Sequence, residues 1–219
     1  MSQGFTEITE EIYSYINDKF AKEDLFLKKL QSEALSLGFP DISISAQQVS
    51  FLGFILKTIN AKYVLEIGSL AGYSAIAMAR ELQLDGKLIT IEIDEERADF
   101  IRKKAVEAGL GNIIEVINAD AIEFLRDYKP EFKFDLVFVD ADKQGYVDYL
   151  NYAITLLRKG GIFAADNALA FGEIAKSKLD ERESEVLAVR DFNDALASNP
   201  YLKTCLVTIG DGLAMAVKL

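Results

Sequence analysis

The chain has 219 residues, a length that suits one domain with a single hydrophobic core. Its 24 Lys and Arg against 35 Asp and Glu give a net charge of −11, which disfavours passive coating of nucleic acid, and its 50% hydrophobic content excludes a disordered polyanion. Because the chain has no histidine, His-based catalytic triads, His-ligated metals and imidazole pH switches are excluded within one chain, and acid–base work falls to Lys, Asp, Glu or Tyr.

The single cysteine, Cys205, excludes an internal disulfide and a CxxC motif, and we interpret it as a small buried hydrophobe on a strand. The first eleven residues contain acids and no long apolar run, which argues against a secretory signal. No apolar run approaches the ~18–20 residues that span a bilayer. We therefore expect a protein without membrane contact in a reducing cytoplasm.

The first sixty residues have helical apolar spacing, and Gly38-Phe39-Pro40 ends one helix. Ser45 and Gln48 form a capping box that should open a third helix. We expect a single domain over 1–219, in which helices of 1–60 cover one face of an α/β core formed by 61–219.

From Tyr63 onward, short apolar runs alternate with helical periods, which is typical of βαβ units around a parallel sheet. The predicted strands are 63–68, 87–93, 113–118, 134–140 and 161–166. The predicted helices are 73–82, 94–108, 121–128, 146–158 and, near the end, 185–197. Strands at 202–209 and 213–219 are separated only by Gly210-Asp211-Gly212, so a hairpin should end the sheet with an antiparallel pair.

Ligands of such sheets bind at the carboxyl ends of the strands. The first predicted strand leads into Gly68 and Gly72, which would let the backbone approach a ligand, although the pattern is neither GxGxxG nor a phosphate loop. Glu66 would repel a pyrophosphate and suits a cationic or amine-bearing ligand. Glu92 at the second strand end would accept both ribose hydroxyls. S-adenosylmethionine meets both conditions; the alternative is turn glycines beside a solvated glutamate.

Polar residues also end the fourth and fifth predicted strands. Adjacent strand tips would bring Asp140, Asp166 and Asn167 together as a hard, all-oxygen set that suits Mg²⁺ or Ca²⁺. The alternative is ordinary Asp-Asn turn chemistry. Lys143, three residues after Asp140, is the candidate base, and the alternative for it is a solvated side chain.

These segments together resemble the cation-dependent O-methyltransferases, namely bacterial members related to plant caffeoyl-CoA O-methyltransferase and, more distantly, to animal catechol O-methyltransferase. The resemblance runs from about residue 42 to the C-terminus. Its motifs are EIGSLAGYS at 66–74, FDLVFVDADK at 134–143, Asp166-Asn167 and GDGL at 210–213. It implies a Rossmann-like class I methyltransferase fold, with a mostly parallel seven-stranded sheet in the order 3-2-1-4-5-7-6, a C-terminal antiparallel hairpin and helices on both faces.

The resemblance also implies a role for each site residue. The methyl donor S-adenosylmethionine would be bound by Ile44, Glu66, Gly68, Ser69, Ser74, Glu92, Ala121, Asp140 and Asp142. Within that set Glu92 would hold the ribose, and Ala121 would lie by the adenine. A divalent cation, Mg²⁺ or else Ca²⁺ or Mn²⁺, would be held by Asp140, Asp166 and Asn167, and Lys143 would be the catalytic base.

The implied acceptor is a small vicinal-dihydroxy aromatic molecule of the catechol or caffeoyl type, and the implied assembly is a homodimer. Leu169-Ala170-Phe171 stands where many relatives carry Leu-Trp and a polar residue, and the charged loop 172–185 has no tryptophan. This departure weakens the case for a caffeoyl-CoA acceptor. One alternative is a tRNA hydroxyuridine O-methyltransferase, which would need a basic rim that the dispersed Lys and Arg do not form. The other is a non-catalytic nucleoside-binding protein, which the set of Asp140, Asp166, Asn167 and Lys143 argues against.

Overall fold

The computed structural model describes residues 6–179 and 182–219. Residues 1–5 of the predicted domain and 180–181 of the charged loop lie outside the described residues. The chain begins with helices α1 (Glu10–Phe20), α2 (Leu25–Ser36) and α3 (Ala46–Thr58). Thr9, Asp24 and Ser45 each cap one of these helices by accepting a backbone N–H from three residues later. The capping box of Ser45 and Gln48 is confirmed.

The remaining chain alternates strands and helices as the apolar pattern predicts. The elements are β1 (Tyr63–Ile67), α4 (Tyr73–Ala79), β2 (Lys87–Glu92), α5 (Glu95–Glu107), β3 (Ile114–Asn118), α6 (Ala121–Asp127), β4 (Phe134–Val139), α7 (Tyr146–Leu156), β5 (Leu157–Ala165), α8 (Glu183–Ser198), β6 (Leu202–Val207) and β7 (Leu213–Lys218). One boundary differs clearly from the prediction. β5 begins at Leu157, before the Gly160-Gly161 pair, because Leu157 pairs with Phe134 of β4 across an irregular register.

The strands form one sheet in the order β3-β2-β1-β4-β5-β7-β6, which confirms the predicted topology. β1 to β5 pair in parallel. β7 runs antiparallel to both β5 and β6, as the short hairpin requires. The sequence order reverses between β1 and β4, and this reversal is where a crevice opens in open α/β sheets.

Helices pack on both faces of the sheet. One core cluster joins α2, α3 and α4 to β1, with Leu52 and Leu56 of α3 fully buried in it. The other core cluster joins α6, α7 and α8 to the opposite face and includes the fully buried Phe192 of α8. The N-terminal helices α2 and α3 therefore share a core with the sheet, whereas α1 buries none of its residues.

The prediction that Cys205 is buried is wrong, because its side chain is exposed. β6 is an edge strand that pairs only with β7, and only Leu202 of this strand is buried. Periodicity along the chain identifies a strand here but does not reveal that it lies at the sheet edge. Over residues 6–179 and 182–219, no helix has the length and apolar character needed to cross a membrane.

Candidate active site

A cavity of about 1150 Å³ opens at the carboxyl ends of β1, β2, β4 and β5. This is where the topology predicts a ligand site, and the volume exceeds the ~300–1,000 Å³ of most small-molecule sites. The backbone hydrogen bonds between strands continue past the strand ends. The Gly68 N–H donates to the Ile91 carbonyl at 3.0 Å, the Asp140 N–H to the Ile67 carbonyl at 2.9 Å, and the Asp166 N–H to the Val139 carbonyl at 3.0 Å. The cavity therefore has room for two ligands above one continuous row of strand tips.

The turn after β1 depends on two glycines with positive φ. Gly68 has φ +86°, and a Cβ there would overlap the carbonyl oxygen of Asp140. Gly72 has φ +78°, and a Cβ there would lie 2.9 Å from the side chain of Ile101. Both positions favour glycine for conformation and for space. The close approach at Gly68 places the β1 tip directly against the β4 tip, and Gly68 lines the cavity.

Glu66 is completely buried and does not line the cavity, as its predicted contact with S-adenosylmethionine would require. Its fully buried carboxyl accepts hydrogen bonds from Ser74 Oγ at 2.5 Å and from Thr90 Oγ1. Burial, together with the smaller effects of the Asp140 and Glu92 charges, raises the pKa of Glu66 to about 7. Glu66 therefore supports Ser74, which does line the cavity.

Glu92 lines the cavity at the end of β2 but is only 5% exposed. Its carboxylate accepts the backbone N–H groups of Leu70 at 2.9 Å, Asp94 at 3.0 Å and Ser69 at 3.3 Å. These bonds compensate for the lost hydration of a buried carboxylate. Glu92 is thus a fixed, buried acceptor rather than the solvated strand end of the alternative interpretation.

Asp140, Asp166 and Asn167 line one part of the same cavity. Burial and, to a smaller extent, the charge of Asp140 together raise the pKa of Asp166 to about 6. Burial also raises the pKa of Asp140, while Lys143 lowers it. Two carboxylates that disfavour each other's charge in a partly dry site are a suitable place for a cation.

Asn167 contributes an amide with a defined direction. Its backbone has φ +56°, and its Nδ2 donates to Asp211 Oδ2 at 3.1 Å, an oxygen that also accepts the Phe171 N–H at 2.7 Å. Because the donor end of the amide is used, the oxygen end remains for a ligand. In the part of the chain that the structure describes, no three His, Cys, Asp or Glu side chains form a metal cluster, so a cation here would take two carboxylates and one amide oxygen. Such hard oxygen donors are the ligands that Mg²⁺ prefers, so these residues fit a divalent cation.

Lys143 lies beside this set and is held in place. Its Nζ donates to Tyr146 Oη at 2.7 Å and contacts Asp140 Oδ1 at 3.3 Å, and its side chain is 12% exposed. The alternative of a solvated lysine therefore does not describe this residue. The neighbouring Asp142 accepts Tyr149 Oη–H at 2.6 Å and the Gly145 N–H at 2.9 Å.

The cavity brings together all predicted site residues except Glu66. They are Ile44, Gly68, Ser69, Ser74, Glu92, Ala121, Asp140, Asp142, Lys143, Asp166 and Asn167. This arrangement places the fixed carboxylate of Glu92, the oxygen set of Asp140, Asp166 and Asn167, and the amine of Lys143 in one cavity.

Residues 17–219 match the family model described as O-methyltransferase. The chain belongs to the O-methyltransferase family. It is 36% identical to a catechol O-methyltransferase of Niastella koreensis over 96% of this chain and 98% of that protein. It is 32% identical to a caffeoyl-CoA O-methyltransferase of Petroselinum crispum over 96% of this chain and 92% of that protein. An O-methyltransferase of Bacillus cereus, solved in complex with SAH, superposes on this chain with a TM-score of 0.88. The two are 29% identical, and the superposition covers 95% of this chain and 97% of that one.

For this O-methyltransferase, sequence reasoning misses three residues that hold the site together. The sequence indicates Gln48 only as part of a helix cap and Asp211 only as a hairpin turn residue, and none of the recognised motifs includes Tyr149. No local pattern indicates the bond between Gln48 and Asp166, because these residues are 118 positions apart. The GDGL motif at 210–213 is a usable signal for Asp211, since a polar residue between two turn glycines faces the neighbouring strand tips.

Proposed function

We propose that this chain transfers a methyl group from S-adenosylmethionine to a hydroxyl of a vicinal-dihydroxy aromatic small molecule, of the catechol or caffeoyl type, with the help of a divalent cation. The observation that carries the proposal is one cavity lined both by Gly68, Ser74 and Glu92 and by the oxygen set with Lys143. The names of the catechol and caffeoyl-CoA relatives support the acceptor class, and the SAH complex of the Bacillus cereus enzyme supports the cofactor.

The cofactor would lie along the strand tips. Glu92 has its carboxylate fixed by three backbone N–H groups, so it is preorganised to accept ribose hydroxyls. Gly68 would let the methionine part pass close to the backbone, with Ser74 and Ile44 at its side. Ala121 follows the α6 cap and would lie by the adenine, while Asp142 would contact the donor near Tyr149.

Asp140, Asp166 and Asn167 would hold the cation, with Mg²⁺ preferred and Ca²⁺ or Mn²⁺ as alternatives. When bound, the ion would orient two adjacent acceptor oxygens and lower the pKa of the reacting hydroxyl. Lys143 Nζ, as the uncharged amine, would receive that hydroxyl proton. The acceptor oxygen would then form a bond to the methyl carbon as the bond from carbon to sulfur breaks, leaving a methyl ether and SAH. Alignment in the cavity supplies much of the gain, since effective molarities can reach ~10⁵ M.

Replacing Asp140 tests the cation site. We expect Asp140→Ala to abolish EDTA-sensitive methyl transfer, because one of two carboxylate ligands is lost. The assay follows the mass shift of catechols, caffeoyl derivatives and tRNA with labelled donor and Mg²⁺. Asp148→Ala is the matched control, since Asp148 is exposed on α7. Turnover by Asp140→Ala equal to that of the unmodified chain would contradict the proposal that Asp140 is a metal ligand.

Replacing Lys143 tests the base. We expect Lys143→Ala to lower kcat by about 10²-fold or more, the range of general acid–base catalysis, with little change in cofactor affinity. Isothermal titration with SAH provides the affinity. A variant that loses cofactor affinity but keeps kcat would contradict the role of Lys143 as base.

The same assay separates the rival functions. Salt-sensitive binding and methylation of tRNA would favour the tRNA hydroxyuridine O-methyltransferase, and cofactor binding without transfer to any diol would favour a non-catalytic nucleoside-binding protein. We further propose that the protein is a single-domain homodimer of the cytoplasm. Sedimentation analysis at micromolar concentration measures the dimer directly.

A further inference from the structure

We propose that Gln48 is a positioning residue that orients Asp166 and thereby couples the start of α3 to the cation site. The inference rests on the proposed function, because it concerns one of the proposed cation ligands. Gln48 is only 2% exposed, and its Nε2 donates to Asp166 Oδ1. Its Oε1 accepts both the backbone N–H and the Oγ–H of Ser45, each at 2.9 Å.

The direction of the Gln48 amide is fixed by these partners. The Ser45 N–H can only donate, so the oxygen of the amide must face Ser45 and the NH₂ group must face Asp166. The hairpin restrains the amide from another side: Gly210 has φ +60°, and a Cβ there would overlap the Gln48 amide. Three elements, α3, β5 and the β6–β7 hairpin, therefore meet at this side chain.

The bond defines which oxygen of Asp166 is available. Among the described residues, only Gln48 donates a side-chain hydrogen bond to the Asp166 carboxylate, and that bond reaches Oδ1. The backbone N–H of Asn167 also stabilises the Asp166 carboxylate. Oδ2 accepts no hydrogen bond from a side chain of the described residues, so it is the oxygen that would face a cation. A neutral amide suits this task, because it restrains the carboxylate without adding a positive charge that would compete with the ion. Without the hydrogen bond from Gln48, the repulsion from Asp140 would favour rotation of the Asp166 carboxylate away from the site.

A purely structural role as a helix-capping residue is the competing explanation. Gln48→Met removes both the acceptor for Ser45 and the donor to Asp166 and keeps a side chain of similar length. Ser45→Ala weakens the cap, since Ser45 Oγ accepts the Gln48 N–H at 3.3 Å, but leaves the Gln48 Nε2 group opposite Asp166. If Gln48 only caps the helix, both variants should lose thermal stability and neither should change cation affinity. If Gln48 orients Asp166, only Gln48→Met should weaken cation binding.

The experiment is isothermal titration of the full chain with Mg²⁺ and with Mn²⁺ in the presence of SAH, alongside thermal melting. We expect about 10–100-fold weaker cation binding for Gln48→Met, the usual effect of losing a group that orients a metal ligand, and near-unchanged binding for Ser45→Ala. Equal cation affinity for Gln48→Met and the unmodified chain, or an equal loss in Ser45→Ala, would overturn the inference alone. Absence of cation binding by the unmodified chain would overturn the proposed cation site and this inference together.

A second pair of variants tests the same inference without removing a polar group. Gly210→Ala would displace the Gln48 amide, whereas Gly38→Ala introduces a side chain at φ +84° with no atom within 4 Å of the new Cβ. Both substitutions place alanine in a conformation that favours glycine. We expect only Gly210→Ala to weaken cation binding, and equal affinities for the two would contradict the coupling.

Discussion

Glu66 carries an ionisable carboxyl that is completely buried in the fold. Its pKa is raised from 4.5 to about 7, mainly by burial, and Ser74 and Thr90 only partly offset the effect. Because the folded chain binds this proton more tightly than the unfolded chain, the stability that Glu66 contributes is complete below pH 4.5. It is lost as the pH rises through about 7.

We therefore expect Glu66→Gln to stabilise the protein at pH 8 by up to about 3 kcal/mol, because glutamine matches the protonated carboxyl and has no charge to bury. The gain should shrink steadily between pH 7 and pH 5.5. Urea unfolding at several pH values in this interval measures it, with exposed Asp148→Asn as the control. A stability difference that does not vary with pH would rule out the raised pKa as its cause.

The same residue marks the limit of what the sequence predicts about the site. Strand ends are visible in the apolar pattern, so the sequence alone places Asp140 and Asp166 at one sheet edge. The sequence does not show how deeply a strand residue is buried. Because β1 is buried on both faces, its apolar pattern gives no signal for whether Glu66 points into the cavity or lies beneath it. Contacts made across the fold, such as the one between Gln48 and Asp166, leave no local pattern either.

At the scale of elements, α3 connects the N-terminal helices to the site. Leu52 and Leu56 anchor it in the core and are completely buried, while Gln48 lies at its first turn. Packing of this helix therefore determines where the Gln48 amide sits. Tertiary burial, more than helix propensity, holds such a short helix in place.

Leu52→Ala tests this anchoring. We expect a loss of about 2–5 kcal/mol in the free energy of unfolding, because the truncated side chain leaves a cavity in a close-packed core. Phe54→Ala on the same helix is the control, since Phe54 is 66% exposed and its loss should cost little. Urea denaturation compares the two. Equal losses would mean that the core contacts of α3 do not stabilise the fold.

Element types are predictable throughout the described chain, whereas some boundaries and burial are not. The predicted helix 146–158 ends at Leu156 because pairing with Phe134 begins at the next residue. Cys205 is exposed because β6 has a partner on one side only. Both errors arise from strand pairing between distant parts of the chain, which local periodicity does not encode.

At the scale of the whole molecule, the strand order explains how residues from distant segments reach one cavity. Gly68, Glu92, Asp140 and Asp166 each follow or end a parallel strand, and these strands are neighbours in the sheet. The alternation of strands and helices predicts a parallel sheet, but the order follows only from the resemblance to cation-dependent O-methyltransferases. Ligand binding at this edge should therefore stabilise the fold as a whole.

The stabilisation by cofactor is a measurable consequence. A ligand that binds only the folded chain adds ~2.7 kcal/mol at a concentration of 100 times its Kd, which corresponds to a rise in Tm of roughly 5–10 °C for a domain of this size. We expect SAH to produce this shift in thermal melting. Glu92→Ala should lose most of the shift, because the proposed hydrogen-bond acceptor for the ribose is removed, whereas Glu95→Ala, at the exposed start of α5, should retain it. A full shift in Glu92→Ala would show that the ribose is bound by another group.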